Sequence, residues 1–126
     1  MKNKILAVDD SRMMLRIIAA AIEMLEHEPL QAANGKEALA VLEHAHQDVA
    51  LVLLDWNMPV MDGLATLKAI RADDRFSSIP VMMVTTEGER ENVVAAIKSG
   101  ANHYLIKPFS QQDLATRILE SLGHGL

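Results

Sequence analysis

The segments Ile5-Leu-Ala-Val-Asp-Asp10 and Val49-Ala-Leu-Val-Leu-Leu-Asp55 decide the fold of this chain. Each is a short, continuously apolar run that ends abruptly in carboxylates. Such runs are typical of parallel strands that helices cover on both faces. If the two runs are neighbouring strands of one parallel sheet, their carboxyl ends lie at the edge where open α/β sheets bind ligands. The sequence therefore predicts that Asp9, Asp10 and Asp55 lie close together.

Three carboxylates gathered at one edge repel one another. A hard divalent cation that prefers oxygen ligands is the simplest way to neutralise them, so we expect a Mg²⁺ site. The structural alternative for Asp9 and Asp10 is a helix N-terminus that favours acids, although one Asp would be enough for it. The alternative for Asp55 is a turn or capping role.

Short apolar runs alternate with stretches of helical period along the whole chain. The predicted strands are 4–8, 29–32, 49–54, 81–84 and 103–106. The predicted helices are 11–26, 36–44, 64–72, 90–99 and 111–122. Helix-capping residues agree with these boundaries, namely Asn34, Ser110 paired with Asp113, Gly100 and Gly123. The pattern predicts five βα units in series, an α/β protein with a parallel sheet.

Composition restricts the class of protein. The chain has 126 residues, which is the size of one domain spanning 1–126. The formal net charge is −5 and the basic residues are scattered, so binding to nucleic acid is not expected. The absence of cysteine excludes disulfides and agrees with a reducing cytoplasm. Because no apolar run is long enough for a signal peptide or a membrane span, we expect a cytoplasmic protein without membrane insertion, whose partners are proteins.

Asp55 is followed by the turn-forming segment Trp56-Asn-Met-Pro-Val-Met-Asp-Gly63, which exposes the carboxylate at the tip of its strand. An exposed Asp beside a divalent cation can attack a phosphoryl group and form an acyl phosphate. Lys107 ends the last predicted strand and would supply a cation for the phosphoryl oxygens, and a cis bond to Pro108 would aim it inward. Thr85 brings a hydroxyl to the same edge. A solvated Lys and an ordinary strand-end Thr are the alternatives.

With these residues assembled, the chain resembles the receiver domain of two-component response regulators, and specifically the single-domain chemotaxis regulators. The segments at the family's spacing are Val8-Asp-Asp-Ser11, Asp55-Trp-Asn-Met-Pro59, Met61-Asp-Gly63, Val84-Thr85, Gly100-Ala101, Tyr104 and Lys107-Pro-Phe109. The resemblance implies a flavodoxin-like (βα)₅ fold with a doubly wound five-stranded sheet of order 2-1-3-4-5. It also implies a signalling switch rather than an enzyme, one that catalyses its own phosphorylation and dephosphorylation.

The resemblance assigns a role to each site residue. Asp55 would accept the phosphoryl group from a phosphohistidine of a histidine kinase or a histidine phosphotransfer protein. Mg²⁺, with Mn²⁺ as a substitute, would be bound by Asp10, Asp55 and the main-chain carbonyl of Asn57. Asp9 would act mostly through metal-bound water. The groups that hold the remaining phosphoryl oxygens would be Thr85 and Lys107.

The same resemblance implies a switch. On phosphorylation, Thr85 is expected to move towards the new oxygens and Tyr104 to turn inward. This repacks the face formed by helix 4, strand 5 and helix 5, where family members bind their targets. Packing of a half-buried strand aromatic is the alternative for Tyr104. Asn57 and Glu87 would tune self-dephosphorylation, which we expect to be fast.

We expect a monomer whose target binds this face. The charges on the face are mixed, so a flagellar motor switch is only one candidate target. A phosphorelay receiver, or a receiver excised from a longer regulator, would share the site.

Other functions fit the sequence less well. A Mg²⁺-dependent phosphatase with an Asp nucleophile needs Asp-x-Asp-x-Thr after strand 1, which Asp9-Asp-Ser-Arg12 does not match. A flavin or nucleotide module needs a phosphate loop there, where two carboxylates would repel phosphate. An interaction module without phosphorylation would tolerate loss of the acceptor, the Lys or the Thr, and all three are present.

Overall fold

A computed structural model describes residues 2–123, and residues 1 and 124–126 of the predicted domain lie outside this part. The strands are β1 Lys4–Val8, β2 Glu28–Ala32, β3 Val49–Leu54, β4 Val81–Thr85 and β5 His103–Ile106. The α-helices are α1 Arg12–Met24, α2 Gly35–Ala45, α3 Gly63–Ala72, α4 Arg90–Lys98 and α5 Gln111–Ser121. Within residues 2–123, no helix is long and apolar enough to cross a membrane. The five predicted βα units are confirmed, with boundaries shifted by at most two residues.

All five strands are parallel, and their order is β2-β1-β3-β4-β5. The order that the resemblance implied is therefore confirmed. In the register, Val8 pairs with both Ala32 of β2 and Leu54 of β3. Since the acids Asp9 and Asp55 follow Val8 and Leu54, the pairing of β1 with β3 places them next to each other.

The sheet is buried on both faces. Ile5 and Ala7 of β1 contribute to one apolar cluster, which also contains side chains of α1 and α5. Leu6 and Val8 contribute to a second cluster, with side chains of α2, α3 and α4. Successive side chains of a strand point to opposite faces, so a strand covered on both sides is apolar throughout. This explains why the strands were recognisable as continuous apolar runs.

Four of the five α-helices in residues 2–123 begin at a residue whose side chain accepts a hydrogen bond from a backbone N–H of the first turn. These capping residues are Ser11, Asn34, Asp62 and Ser110. The predicted caps Asn34 and Ser110 are confirmed, and Gly100 and Gly123 have the positive φ expected after a helix. At the start of α4, the side chain of Glu89 makes no capping hydrogen bond.

Candidate functional site

The ends of β1 and β3 bring the three predicted acids together. Beyond the strands, the N–H of Asp9 donates to the carbonyl of Ala32 and that of Asp55 to the carbonyl of Val8, each at 3.0 Å. These hydrogen bonds continue the strand pairing to the acids themselves. Carboxylate oxygens of Asp9, Asp10 and Asp55 lie within 4.8 Å of one another.

The three acids differ in burial and in hydrogen bonding. Asp9 is 2% exposed and Asp10 is open to solvent. Asp55 is only 7% exposed, so the expectation that the loop after it exposes the carboxylate is wrong. Oδ1 of Asp9 accepts from the N–H of Ser11 at 2.9 Å, and Oδ1 of Asp55 accepts from the N–H of Trp56 at 2.7 Å. One oxygen of each buried acid is thus held by the chain, and the other faces Lys107.

Lys107 lies in the middle of the site. Its bond to Pro108 is cis, as predicted, and its N–H donates to the carbonyl of Thr85 at 2.9 Å. Its ammonium Nζ lies 2.6 Å from Oδ2 of Asp9 and 3.4 Å from Oδ2 of Asp55. One ammonium does not balance three carboxylates, so the site retains an excess of negative charge.

The acid cluster fits a divalent cation. Ligand oxygens of an octahedral Mg²⁺ lie about 2.0–2.1 Å from the ion and therefore roughly 3–4 Å from one another. The separation of the carboxylate oxygens, within 4.8 Å, is compatible with that geometry after a small adjustment. All three side chains offer hard oxygen donors, which suit Mg²⁺ better than softer metals. The residues present can hold this ion.

The loop after Asp55 is fastened to the start of α3. The N–H of Gly63 donates to the carbonyl of Trp56 at 2.8 Å, and Asp62 accepts from the N–H of Ala65 at 2.8 Å. A Cβ at Gly63 would lie 2.1 Å from the carbonyl oxygen of Asp55. Only glycine allows α3 to begin this close to Asp55, which is the structural reason for Gly63 in this segment.

Val60, in the same loop, has a conformation that the sequence did not predict. Its φ is 71°, and the N–H of Met61 donates to the carbonyl of Pro59 at 2.7 Å, which makes a γ-turn. A β-branched residue with positive φ is an outlier, and such backbone strain costs about 1–3 kcal/mol. The strained residue lies in the loop that follows Asp55.

Thr85 and Tyr104 are both connected to Glu87. Thr85 is fully buried, and its Oγ1 accepts from the N–H of Glu87 at 3.2 Å. Tyr104 is half-buried against the core, and its hydroxyl donates to the carbonyl of Glu87 at 2.5 Å. Burial, followed by the charges of Glu87 and Asp55, raises the pKa of Tyr104 to about 12. The main chain of Glu87 therefore links the two predicted switch residues, a role that spacing did not reveal.

The face formed by α4, β5 and α5 carries exposed apolar side chains. Val94 and Ile97 of α4 are 41% and 46% exposed, and Ile106 of β5 is 41% exposed. Exposed apolar groups surrounded by charged residues are typical of protein interaction surfaces.

Comparison with known proteins agrees with this geometry. The sequence model of the response regulator receiver domain family matches residues 5–119. The chain is 45% identical over 121 residues to Chemotaxis protein CheY1 of Helicobacter pylori (strain J99 / ATCC 700824). That alignment covers 95% of this chain and 97% of the relative.

Solved structures give the same result. Chemotaxis response regulator CheY4 of Vibrio cholerae superimposes with a TM-score of 0.88 at 32% identity, covering 96% of this chain and 99% of that one. A chain of the CheX-CheY-BeF₃-Mg²⁺ complex from Borrelia burgdorferi superimposes with a TM-score of 0.85 at 26% identity, covering 93% and 87%. This chain therefore belongs to the response regulator receiver domain family of two-component signalling, and its relatives at 42–45% identity include chemotaxis proteins of the CheY type.

Proposed function

We propose that this receiver accepts a phosphoryl group on Asp55 from the phosphohistidine of a histidine kinase or a histidine phosphotransfer protein. The observation that carries the proposal is the cluster of three acids around Lys107 at the carboxyl edge of the sheet. An oxygen of the Asp55 carboxylate attacks phosphorus, the P–N bond breaks, and the imidazole nitrogen leaves with the electron pair and takes up a proton from solvent. The product is an acyl phosphate.

Mg²⁺, with Mn²⁺ as a substitute, would be held by Asp10, Asp55 and the main-chain carbonyl of Asn57, and Asp9 would act through an intervening water. When bound, the ion neutralises charge on the phosphoryl oxygens. Two observations support this division between the acids. Asp10 is exposed beside Asp55. Asp9 is 2% exposed, and its Oδ2 lies closer to the Lys107 ammonium than that of Asp55 does, at 2.6 Å against 3.4 Å.

Lys107 and Thr85 hold the remaining phosphoryl oxygens. The ammonium of Lys107 lies 3.4 Å from Oδ2 of Asp55, so a short movement brings it to an oxygen of a group attached there. Thr85 ends β4, the strand next to the one that carries Asp55. Its hydroxyl is buried at the end of that strand and can rotate towards the phosphoryl group.

Phosphorylation switches the α4/β5/α5 face. When Thr85 turns to the phosphoryl group, its oxygen leaves the N–H of Glu87. Tyr104, whose hydroxyl donates to the carbonyl of Glu87, then turns inward into the space that Thr85 leaves. A difference of a few kcal/mol between the two packings is enough to change their populations substantially. The target is a protein that reads this face, in a chemotaxis-type pathway.

Asn57 and Glu87 tune the loss of the phosphoryl group by water. Asn57 is exposed and Glu87 is half-buried, and both are polar side chains. We propose a short-lived signal, given by a cytoplasmic, monomeric receiver whose single domain spans residues 1–126. The signalling role consists of self-catalysed phosphorylation and dephosphorylation rather than turnover of a separate substrate.

Incubation with Mg²⁺ and acetyl phosphate tests the proposed function. Intact mass should increase by one phosphoryl group, peptide mapping should locate it at Asp55, and the bond should be base-labile. Asp55→Asn and removal of the metal should both abolish labelling. Asp74→Asn changes an exposed carboxylate outside the site and should label like the parent. A label elsewhere, or equal labelling of Asp55→Asn, rules out Asp55 as the acceptor.

A further inference from the structure

The start of α4 lacks the side-chain cap that the other four α-helices have. Its N-terminal flanking residue, Glu89, makes no side-chain capping hydrogen bond, and within the helix only Ala96 is buried. Helix N-termini leave backbone N–H groups without intrahelical partners, and capping side chains usually satisfy them. The position of α4 must therefore depend on some other contact at this end.

The carboxamide of Asn92 supplies such a contact. Its Nδ2 donates to Oε1 of Glu87, in the loop between β4 and α4, while its backbone N–H donates to the carbonyl of Glu89 at 3.0 Å. The Glu87 carboxylate is thereby held beside the positive end of the helix dipole, a favourable place for an anion. This side-chain contact, the Glu87–Asn92 link, connects the loop to the helix.

Through this link, one residue joins three elements of the proposed switch. The N–H of Glu87 donates to Thr85 of β4, its carbonyl accepts from Tyr104 of β5, and its carboxylate accepts from Asn92 of α4. Each polar group of Glu87 thus has a partner on a different element. A movement of Thr85 or Tyr104 displaces Glu87, and the displacement reaches α4 through the carboxamide.

We propose that Asn92 is a positioning residue that holds the Glu87 carboxylate and so transmits the positions of Thr85 and Tyr104 to α4. The inference rests on the proposed function, because it describes how phosphorylation of Asp55 reaches the target-binding face. Asn92 itself does not contact the acceptor. Its loss therefore uncouples α4 from the site without preventing phosphorylation.

The test is a pair of variants followed by hydrogen exchange. Asn92→Asp places a carboxylate against that of Glu87 and breaks the link, although an acid at this position favours the helix itself. In the double variant, Asn92→Asp with Glu87→Gln, a carboxamide at position 87 can donate to a carboxylate at position 92. The hydrogen bond can therefore form again in the reverse direction. Amide exchange of residues 90–98 is measured by mass spectrometry with Mg²⁺, with and without acetyl phosphate. Labelling of Asp55 is measured in the same samples.

In the parent, acetyl phosphate should change the exchange of α4. In Asn92→Asp, Asp55 should still be labelled, and that change should fall at least about fivefold, the lower end of typical coupling between sites. The double variant should recover it. An unaltered response in Asn92→Asp, or failure of the double variant to recover it, overturns the proposal.

The same experiment separates this inference from the proposed function. An unlabelled parent would contradict phosphorylation of Asp55 but not the link. The link is then judged from the unphosphorylated proteins alone. The first amides of α4 should exchange faster in Asn92→Asp than in the parent, and the double variant should return them to the parent's rate. Equal exchange in all three proteins would overturn the role of Asn92.

Discussion

Helices α3 and α4 follow adjacent strands and contribute to the same apolar cluster. They differ in the capping of their first turn and in how many of their side chains are buried. The start of α3 is capped by Asp62, whereas the residue before α4 makes no capping bond. The buried residues of α3 are Gly63, Thr66, Leu67 and Ile70. In α4 only Ala96 is buried. The side of the site near α3 is therefore more tightly packed than the side near α4.

Arg71 fastens the far end of α3. Its guanidinium donates to the carbonyl of Gly100 at 3.0 and 2.8 Å, to those of Ser77 and Ile79 at 3.1 and 2.7 Å, and to Oδ1 of Asn102 at 2.9 Å. Burial lowers the pKa of Arg71, but a guanidinium stays charged in proteins. Arg71 therefore holds the C-terminal end of α3 and, through Gly100, the C-terminal end of α4. Because few side chains of α4 are buried, its N-terminal end is the part that can shift at low cost.

Among substitutions that distinguish α3 from α4, truncation of an apolar side chain should have the largest effect on the free energy of unfolding. Leu67→Ala removes a fully buried side chain of α3 and should lower the free energy of unfolding by about 2–5 kcal/mol. Ile97→Ala, its counterpart on α4, removes a side chain that is 46% exposed, and it should change stability by about 0.5 kcal/mol or less. Urea denaturation measures both. Equal losses would mean that α4 is as firmly packed as α3.

Removing the side-chain cap of α3, or adding one to α4, should have a smaller effect on the free energy of unfolding. Asp62→Ala should destabilise the protein by about 1 kcal/mol, because the N–H of Ala65 loses its acceptor. Glu89→Ser supplies α4 with a capping hydroxyl and should stabilise it by roughly 0.5–1 kcal/mol. Denaturation midpoints and amide exchange of the two first turns measure these changes. Loss of stability in Glu89→Ser would show that α4 is already capped by another group.

The smallest effect on stability should come from the ionisation of Tyr104, the single tyrosine of the chain, at high pH. The fold favours its neutral phenol, since burial and nearby carboxylates raise its pKa to about 12. The stability that the folded protein gains from the neutral phenol of Tyr104 is complete below about pH 10, where unfolded tyrosine titrates. It is lost as the pH rises through the pKa of Tyr104 in the folded protein. Tyrosinate absorbance of folded protein should show the raised midpoint, and Glu87→Gln should lower it. A folded midpoint equal to that of denatured protein would contradict the inward position.

The sequence predicted those features that follow from chain order. Parallel strands buried on both faces produce continuous apolar runs, so the five strands were visible without a structure. Residues directly after β1 and β3 must lie at one edge, and for this reason Asp9, Asp10 and Asp55 could be placed together. The strand order came from the family resemblance, because apolar runs alone do not determine which strands are neighbours.

Features that depend on side-chain direction or on loop backbone were not predictable. The hydrogen bond from Arg71 to Gly100 joins residues 29 positions apart, and no local pattern indicates it. The γ-turn at Val60 opposes the conformational preference of its own residue. The contacts of Glu87 with Tyr104 and Asn92 depend on the path of the β4–α4 loop, which the sequence does not specify.

Hydrogen exchange of the parent protein, measured with Mg²⁺ in the presence and absence of acetyl phosphate, tests the central claim most directly. The claim is that phosphorylation of Asp55 rearranges the loosely fastened side of the site and leaves the tightly packed side unchanged. Exchange should change in residues 86–98 and 103–106 and stay constant in α3, and Asp55→Asn should show no response. A response confined to α3, or one that persists in Asp55→Asn, would contradict the claim.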